Sequence, residues 1–125
     1  VIAAADENSM ESASILVVED EALIRMSVMH IVEDAGFSAV EAANADEAIV
    51  MLERCPGITA VFTDINMPGG MDGLELTRVI RGRWPGIGLV VTSGRLPAQL
   101  PAGVLFVGKP YTPGEIVTAL QKYAA

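Results

Sequence analysis

Five polar residues, Glu19, Asp20, Asp64, Thr92 and Lys109, each stand at or next to the end of an apolar run: ILVV, ITAVFT, IGLVV and VLFVG. If those runs are parallel strands of one sheet, all five groups fall at its carboxyl edge, where open α/β folds hold their ligands. Carboxylates crowded at one edge repel each other, so the arrangement calls for a hard divalent cation, Mg2+ or its substitute Mn2+. Asp20 and Asp64 can supply two oxygen ligands, and Glu19 either binds directly or orients a coordinated water. Asn66 stands where the chain leaves the strand, so its backbone carbonyl is a further ligand candidate. With a metal lowering the charge around it, Asp64 can attack phosphorus in line and form an aspartyl phosphate. Thr92 then offers a hydroxyl, and Lys109 a positive charge, to the phosphoryl oxygens. The plainer reading of Glu19 and Asp20, a solvated loop with Asp20 capping the next helix, leaves Asp64 unexplained.

Such a site needs an alternation of strands and helices. Ile15 to Val18 is a short aliphatic run typical of a strand covered on both faces. Glu21 to Ala35 carries Ile24, Val28, Ile31 and Ala35 at helical spacing, and Gly36 ends it. FSAVEA reads as a weak second strand. Asn44 with Glu47 opens a helix to about Arg54, broken by Pro56-Gly57. Ile58 to Phe62 is the third strand, followed by a wide Pro68-Gly69-Gly70 loop. Asp72 with Glu75 starts a helix that turns Leu76, Val79 and Ile80 inward. Ile87 to Val91 and Val104 to Val107 are the fourth and fifth strands. Thr112, Pro113 and Glu115 open a last helix that buries Ile116, Ala119, Leu120 and Tyr123. Between strands four and five lies only SGRLPAQLPAG, too short and too rich in Pro and Gly for more than a stunted or mobile helix.

The 125 residues suffice for one domain with a real core. A 51% hydrophobic content with few aromatics suits an aliphatic α/β core. Sixteen acidic residues against eight basic give a net charge of -8, which argues against direct nucleic-acid binding. A single cysteine, Cys55, excludes an internal disulfide and fits a reducing, cytoplasmic setting. No apolar run approaches the roughly 20 residues that would insert in a membrane. Val1 to Ser9 lacks the basic start of a secretion signal. Residues 1–13 therefore read as a leader or frayed arm, with Met10 as a native start, and 14–125 as the folded domain.

From Ile15 to Tyr123 the sequence resembles the receiver domain of bacterial two-component response regulators. LVVEDE, TDINMPG with its MDG, TSG and GKP carry the resemblance. It implies a five-stranded, doubly wound, flavodoxin-like parallel sheet of order 2-1-3-4-5. It also implies a switch that takes a phosphoryl group from a histidine kinase or histidine phosphotransfer protein and alters a surface read by a downstream protein. On that resemblance Asp64 is the phosphoacceptor, Glu19 and Asp20 the acidic pair, and Asn66 the carbonyl ligand. Thr92 is then the switch hydroxyl, Phe106 the switch aromatic and Lys109 the phosphate-pairing lysine, with a cis bond to Pro110.

Three features depart from the common pattern. INMPGGMDG is one residue longer, with glycines absorbing the insertion. Phe106 has no hydroxyl, so its switching rests on packing. The short fourth crossover argues against a symmetric dimer through that helix, and with SGR and GKPY it resembles single-domain or kinase-attached receivers of alphaproteobacterial type. The rival classes fit less well. A phosphatase needs a second acid and a cap, a flavodoxin-like carrier would find its phosphate repelled by Glu19 and Asp20, and a pseudo-receiver would not need every phosphotransfer group. The chain end, close after the last helix, favours a free-standing regulator. His30 and Cys55 read as bystanders, the methionines at 26, 29, 51, 67 and 71 as packing, and Trp84 as packed under the sheet.

Overall fold

A computed structural model describes residues 13–123. The expected leader, with Met10, lies outside the described residues except for Ala13, whose carbonyl accepts from the Ser38 N–H at 2.9 Å. The elements are β1 (Ser14–Val18), α1 (Ala22–Asp34), β2 (Ser38–Ala42), α2 (Ala45–Arg54), β3 (Ile58–Asp64), α3 (Gly73–Arg83), β4 (Gly88–Ser93), β5 (Val104–Gly108) and α4 (Pro113–Gln121). All strand pairs are parallel, in the order β2-β1-β3-β4-β5.

The side-chain alternation of the strands divides the core into two layers. Leu16, Val18, Val61, Leu89, Val91 and Val104 pack beneath Ala48 and Leu52 of α2 and Leu76 and Ile80 of α3. Ile15, Val17, Ala60, Phe62, Val90 and Val107 pack beneath Val28 and Val32 of α1 and Ile116 and Leu120 of α4. Covering both faces explains why β1 is a continuous apolar run rather than an alternating one. Each fully buried aliphatic side chain contributes about 1.5–3 kcal/mol to holding the strands in place.

Local signals set the helix starts. Asp72 and Glu75 form a reciprocal capping box at α3, with bonds of 2.8 and 3.2 Å. Thr112 and Glu115 form another at α4, with Pro113 in the first turn. At α2 the Asn44 side chain accepts from the Glu47 N–H at 2.9 Å, but Glu47 reaches back one residue further, to the Ala43 N–H at 3.0 Å. Gly36 ends the turn after α1 at φ +96°, a conformation open to glycine at little cost.

Several details differ from the sequence expectation. α1 buries Val28 and Val32, with Ile24 and Ile31 at its flanks and Ala35 exposed, so its stripe is narrower than the spacing indicated. Met26 is 55% exposed and is not a packing residue. β3 and β4 run on to Asp64 and Ser93, because their neighbours supply ladder partners beyond the apolar runs. The expected shortened fourth helix is absent: residues 94–103 form only bends and turns between β4 and β5. Two prolines in so short a span deny a helix its ladder. Anchors hold the far end instead, with the Arg81 guanidinium donating to the Ala102 carbonyl and the Tyr123 hydroxyl to that of Gly103 at 3.1 Å. Trp84 is half-buried against the α2/α3 layer, with the Arg83 guanidinium 4.3 Å from its ring centre, in line with packing.

The first residue of α3 approaches the end of β3 closely. The Gly73 N–H donates to the Ile65 carbonyl at 2.9 Å, and a Cβ at Gly73 would lie 2.8 Å from the Ile65 Cα and 2.9 Å from the Asp64 carbonyl carbon. Gly73→Ala is therefore expected to lower stability by about 1–3 kcal/mol in urea unfolding, by forcing backbone against backbone. Gly82→Ala, in open space on the same helix, should instead stabilise by about 0.5–1 kcal/mol.

Candidate phosphoryl and metal site

Register brings the sequence-selected residues to one edge. Asp64 pairs with Thr92, Thr92 with Val107, and Ser93 with Gly108. The ladder continues one residue past each tip: Glu19 N–H donates to Ala42 at 3.1 Å, Ile65 N–H to Thr92 at 2.9 Å, and Lys109 N–H to Ser93 at 2.9 Å. Glu19, Asp64, Thr92 and Lys109 thus stand on backbone fixed by the sheet, with Asp20 one residue beyond it in the bend that follows β1. The Lys109–Pro110 bond is cis.

Glu19, Asp20 and Asp64 each offer a carboxylate oxygen within 4.8 Å of the others. Glu19 and Asp64 are 5% and 6% exposed, whereas Asp20 is open to solvent. Asp20 does not cap α1, whose N-cap residue is Glu21 with no side-chain capping bond. Lys109 Nζ lies 2.7 Å from Asp64 Oδ2 and 4.0 Å from Glu19 Oε1. Glu19 Oε2 accepts from the Glu21 N–H at 3.2 Å, and Asp64 Oδ1 from the Asn66 N–H at 3.1 Å. A single ammonium cannot balance three carboxylates, and the donor atoms are all hard oxygens. The cluster therefore fits a divalent cation of the Mg2+ class.

Burial, reinforced by Asp20 and by the charge of Asp64, pushes the Glu19 carboxyl up to about 7. Burial alone would lower the Lys109 ammonium, but its bond to Asp64 and the charges of Asp64 and Glu19 outweigh this and raise it. Burial also raises the phenol of Tyr111, whose ring meets Phe62 edge-on at 6.1 Å.

Thr92 is 2% exposed, and its Oγ1 has no hydrogen-bond partner among the described residues. A buried hydroxyl left unpaired costs about 1–3 kcal/mol, which an arriving acceptor would recover. Phe106 pairs with Val91 in the sheet, short of the edge, and is half-buried against the α2/α3 layer together with Leu100 of the crossover. The Asn66 side chain turns toward β4 and donates to Ser93 Oγ at 3.1 Å.

Two contributors escaped the sequence reading. Arg25 donates to the Glu19 carbonyl at 2.7 Å and to Glu41 Oε1 at 2.8 Å, fixing the backbone of the acidic pair against β2. Its signal was available, since it is the only Lys or Arg in a helix that follows three acids. Ser93 was visible beside Thr92 but carried no chemistry by position alone.

The family model described as the response regulator receiver domain matches residues 15–121. The chain belongs to the response regulator receiver domain family. This receiver domain is 31% identical over 120 residues to a putative NtrX-like response regulator of Rickettsia bellii, and 32% identical over 120 residues to the sensor kinase CckA of Brucella abortus. Those alignments cover 90% and 89% of the chain but 25% and 12% of the relatives, so it spans a quarter or less of their length. Among solved structures, a response regulator receiver protein from Sinorhizobium medicae superposes with a TM-score of 0.82 at 28% identity, covering 92% of this chain and 96% of that one.

The raised Glu19 carboxyl makes stability depend on pH. The folded receiver holds that proton more tightly than the unfolded chain between pH 4.5 and about 7. This contribution is complete below the lower value and is lost as pH rises through the window. Unfolding free energies from urea titration in chelator should therefore fall from pH 5 to pH 8, by no more than about 3 kcal/mol from this group. Added Mg2+ should restore stability at pH 8, and Glu19→Gln should flatten the slope.

Proposed function

We propose that this receiver domain, taken as residues 14–125, is a phosphoacceptor switch in which Asp64 receives a phosphoryl group from phosphohistidine. The donor is a histidine kinase or a histidine phosphotransfer protein. The observation that carries the reading is the juxtaposition at Asp64: one carboxylate oxygen on Lys109 at 2.7 Å, two further carboxylates within ligand distance, and an unpaired buried hydroxyl on the neighbouring strand. Transfer forms a bond from an Asp64 oxygen to phosphorus as the phosphorus–nitrogen bond breaks, and the imidazole leaves with the bonding pair.

The chain's own groups fall into distinct roles. Asp20 and Asp64 would hold the metal, with Glu19 binding directly or through water and the Asn66 carbonyl as a further ligand. Bound Mg2+, or Mn2+ in its place, supplies charge that draws the phosphoryl oxygens and lowers the repulsion between donor and acceptor. Lys109 holds the opposite side of the phosphoryl group, and Thr92 turns its hydroxyl to a phosphoryl oxygen. That turn vacates space near the β4–β5 edge, into which Phe106 moves by repacking alone, since it has no hydroxyl to bond. The consequence is a shift between two packings, expressed around the crossover, β5 and α4 and read by a downstream protein.

A cytoplasmic setting suits the phosphodonor and the lone cysteine. The net charge of -8 disfavours direct contact with nucleic acid. Among the described residues no helix is long and apolar enough to cross a membrane.

Intact-mass spectrometry after incubation with acetyl phosphate should register a Mg2+-dependent gain of one phosphoryl group that Asp64→Asn abolishes. Normal incorporation in that variant would falsify the assignment. Lys109→Ala should slow incorporation by about 100-fold and blunt the conformational response while leaving metal binding measurable by titration.

A further inference from the structure

We infer that Ser93 is a positioning residue whose hydroxyl ties the segment after Asp64 to the helix-less crossover, so that a change at Asp64 reaches residues 94–100 through this side chain. The inference rests on the phosphoacceptor reading of Asp64. Ser93 ends β4 and is 4% exposed. Its Oγ accepts from Asn66 Nδ2 at 3.1 Å and from the Arg95 N–H at 3.3 Å. A hydroxyl oxygen has two acceptor sites, so the two donors together fix where it stands.

One of those donors leads directly to the reactive carboxylate. The Asn66 N–H donates to Asp64 Oδ1 at 3.1 Å, giving a continuous path from Asp64 through Asn66 and Ser93 to Arg95. Forming the acyl phosphate removes negative charge from the remaining Asp64 oxygen and weakens its hold on the Asn66 N–H. Thr92, the residue next to Ser93, turns toward the phosphoryl group and moves the same stretch of β4 from the other side.

The other donor opens a segment with no helical ladder of its own. Its far end is held by the Arg81 bond to Ala102 and by the Val104 N–H on the Pro101 carbonyl at 3.2 Å. Its near end is held by Ser93. Leu96, 65% exposed, lies between the two anchors. A crossover helix would carry movement as a rigid body, whereas this segment follows whichever anchor moves.

Ser93→Ala removes the hydroxyl but keeps the main-chain carbonyl that accepts from the Lys109 N–H at 2.9 Å. Incorporation from acetyl phosphate should therefore stay within about twofold of wild type. Ser93→Thr returns a hydroxyl, and Arg95→Pro deletes the other donor from the exposed side should the buried variant fold poorly.

The test is amide NMR on the whole 15N-labelled chain, first alone and then with Mg2+ and beryllofluoride as the phosphoryl mimic. Without the mimic, Ser93→Ala should move the Asn66 carboxamide and Arg95 amide resonances, and Ser93→Thr should return them. Unmoved resonances would refute the hydroxyl's role. With the mimic, wild-type Asn66, Arg95 and Leu96 should shift together. In Ser93→Ala the Asn66 backbone response should persist while those of Arg95 and Leu96 fall by at least half, and Arg95→Pro should depress Leu96 likewise. An undiminished crossover response in Ser93→Ala, or its loss in Ser93→Thr as well, overturns the coupling. No response at Asn66 in wild type would instead strike the phosphoacceptor reading, while the measurement without the mimic would still report on Ser93's bonds.

Discussion

Repulsion among Glu19, Asp20 and Asp64 is the constraint around which the carboxyl edge of the sheet is organised. Three acids gathered within 4.8 Å destabilise one another unless positive charge is present. Lys109 supplies part of it from β5, and Arg25 holds the backbone of the acidic pair from α1. Lys109 reaches Asp64 and Glu19 because the parallel sheet aligns the ends of β1, β3 and β5. The two-layer core is therefore the device that keeps an electrostatically unfavourable arrangement assembled.

The same constraint separates the roles of the acids. Asp20 is solvent-exposed and open to an incoming ion, while Glu19 is buried and takes up a proton near neutral pH. Asp64 is buried too, but one oxygen faces Lys109 and the other the Asn66 N–H. Thr92 is the complementary element, a buried donor with no acceptor among the described residues, on the strand beside the Asp64 carboxylate. The surplus negative charge favours a bound cation, and the unspent hydrogen bond favours an arriving acceptor oxygen. Such a site is destabilised when empty and stabilised by its ligands, which is what a switch requires.

The crossover after β4 shows how packing redirects a family architecture. Prolines and glycines at 94–103 disfavour a helix, and the chain is instead fastened at its ends by Ser93, Arg81 and Tyr123. Movement at the site meets a tethered strap rather than a stiff rod. Phe106 and Leu100 pack against the same core layer, so the strap and this ring share one volume.

Most of the architecture was legible from local rules. Apolar runs of strand length, caps at Asp72 and Thr112, and breaks at Gly36 and Pro56-Gly57 depend on neighbours in sequence, and the structure reproduces them. The types and positions of Glu19, Asp20, Asp64, Thr92 and Lys109 were likewise plain, because polar groups at the ends of buried strands stand out against apolar surroundings. The burial of Val32 in place of Ala35 and the links from Arg25 to Glu19 and from Ser93 to Asn66 were not. Each depends on how distant segments are rotated and spaced in three dimensions. Residue type and spacing thus determined that this chain gathers acids, a hydroxyl and a lysine at one edge, whereas tertiary structure decided which of them are buried, paired or left without a partner, because burial and hydrogen bonding are properties of the assembled neighbourhood.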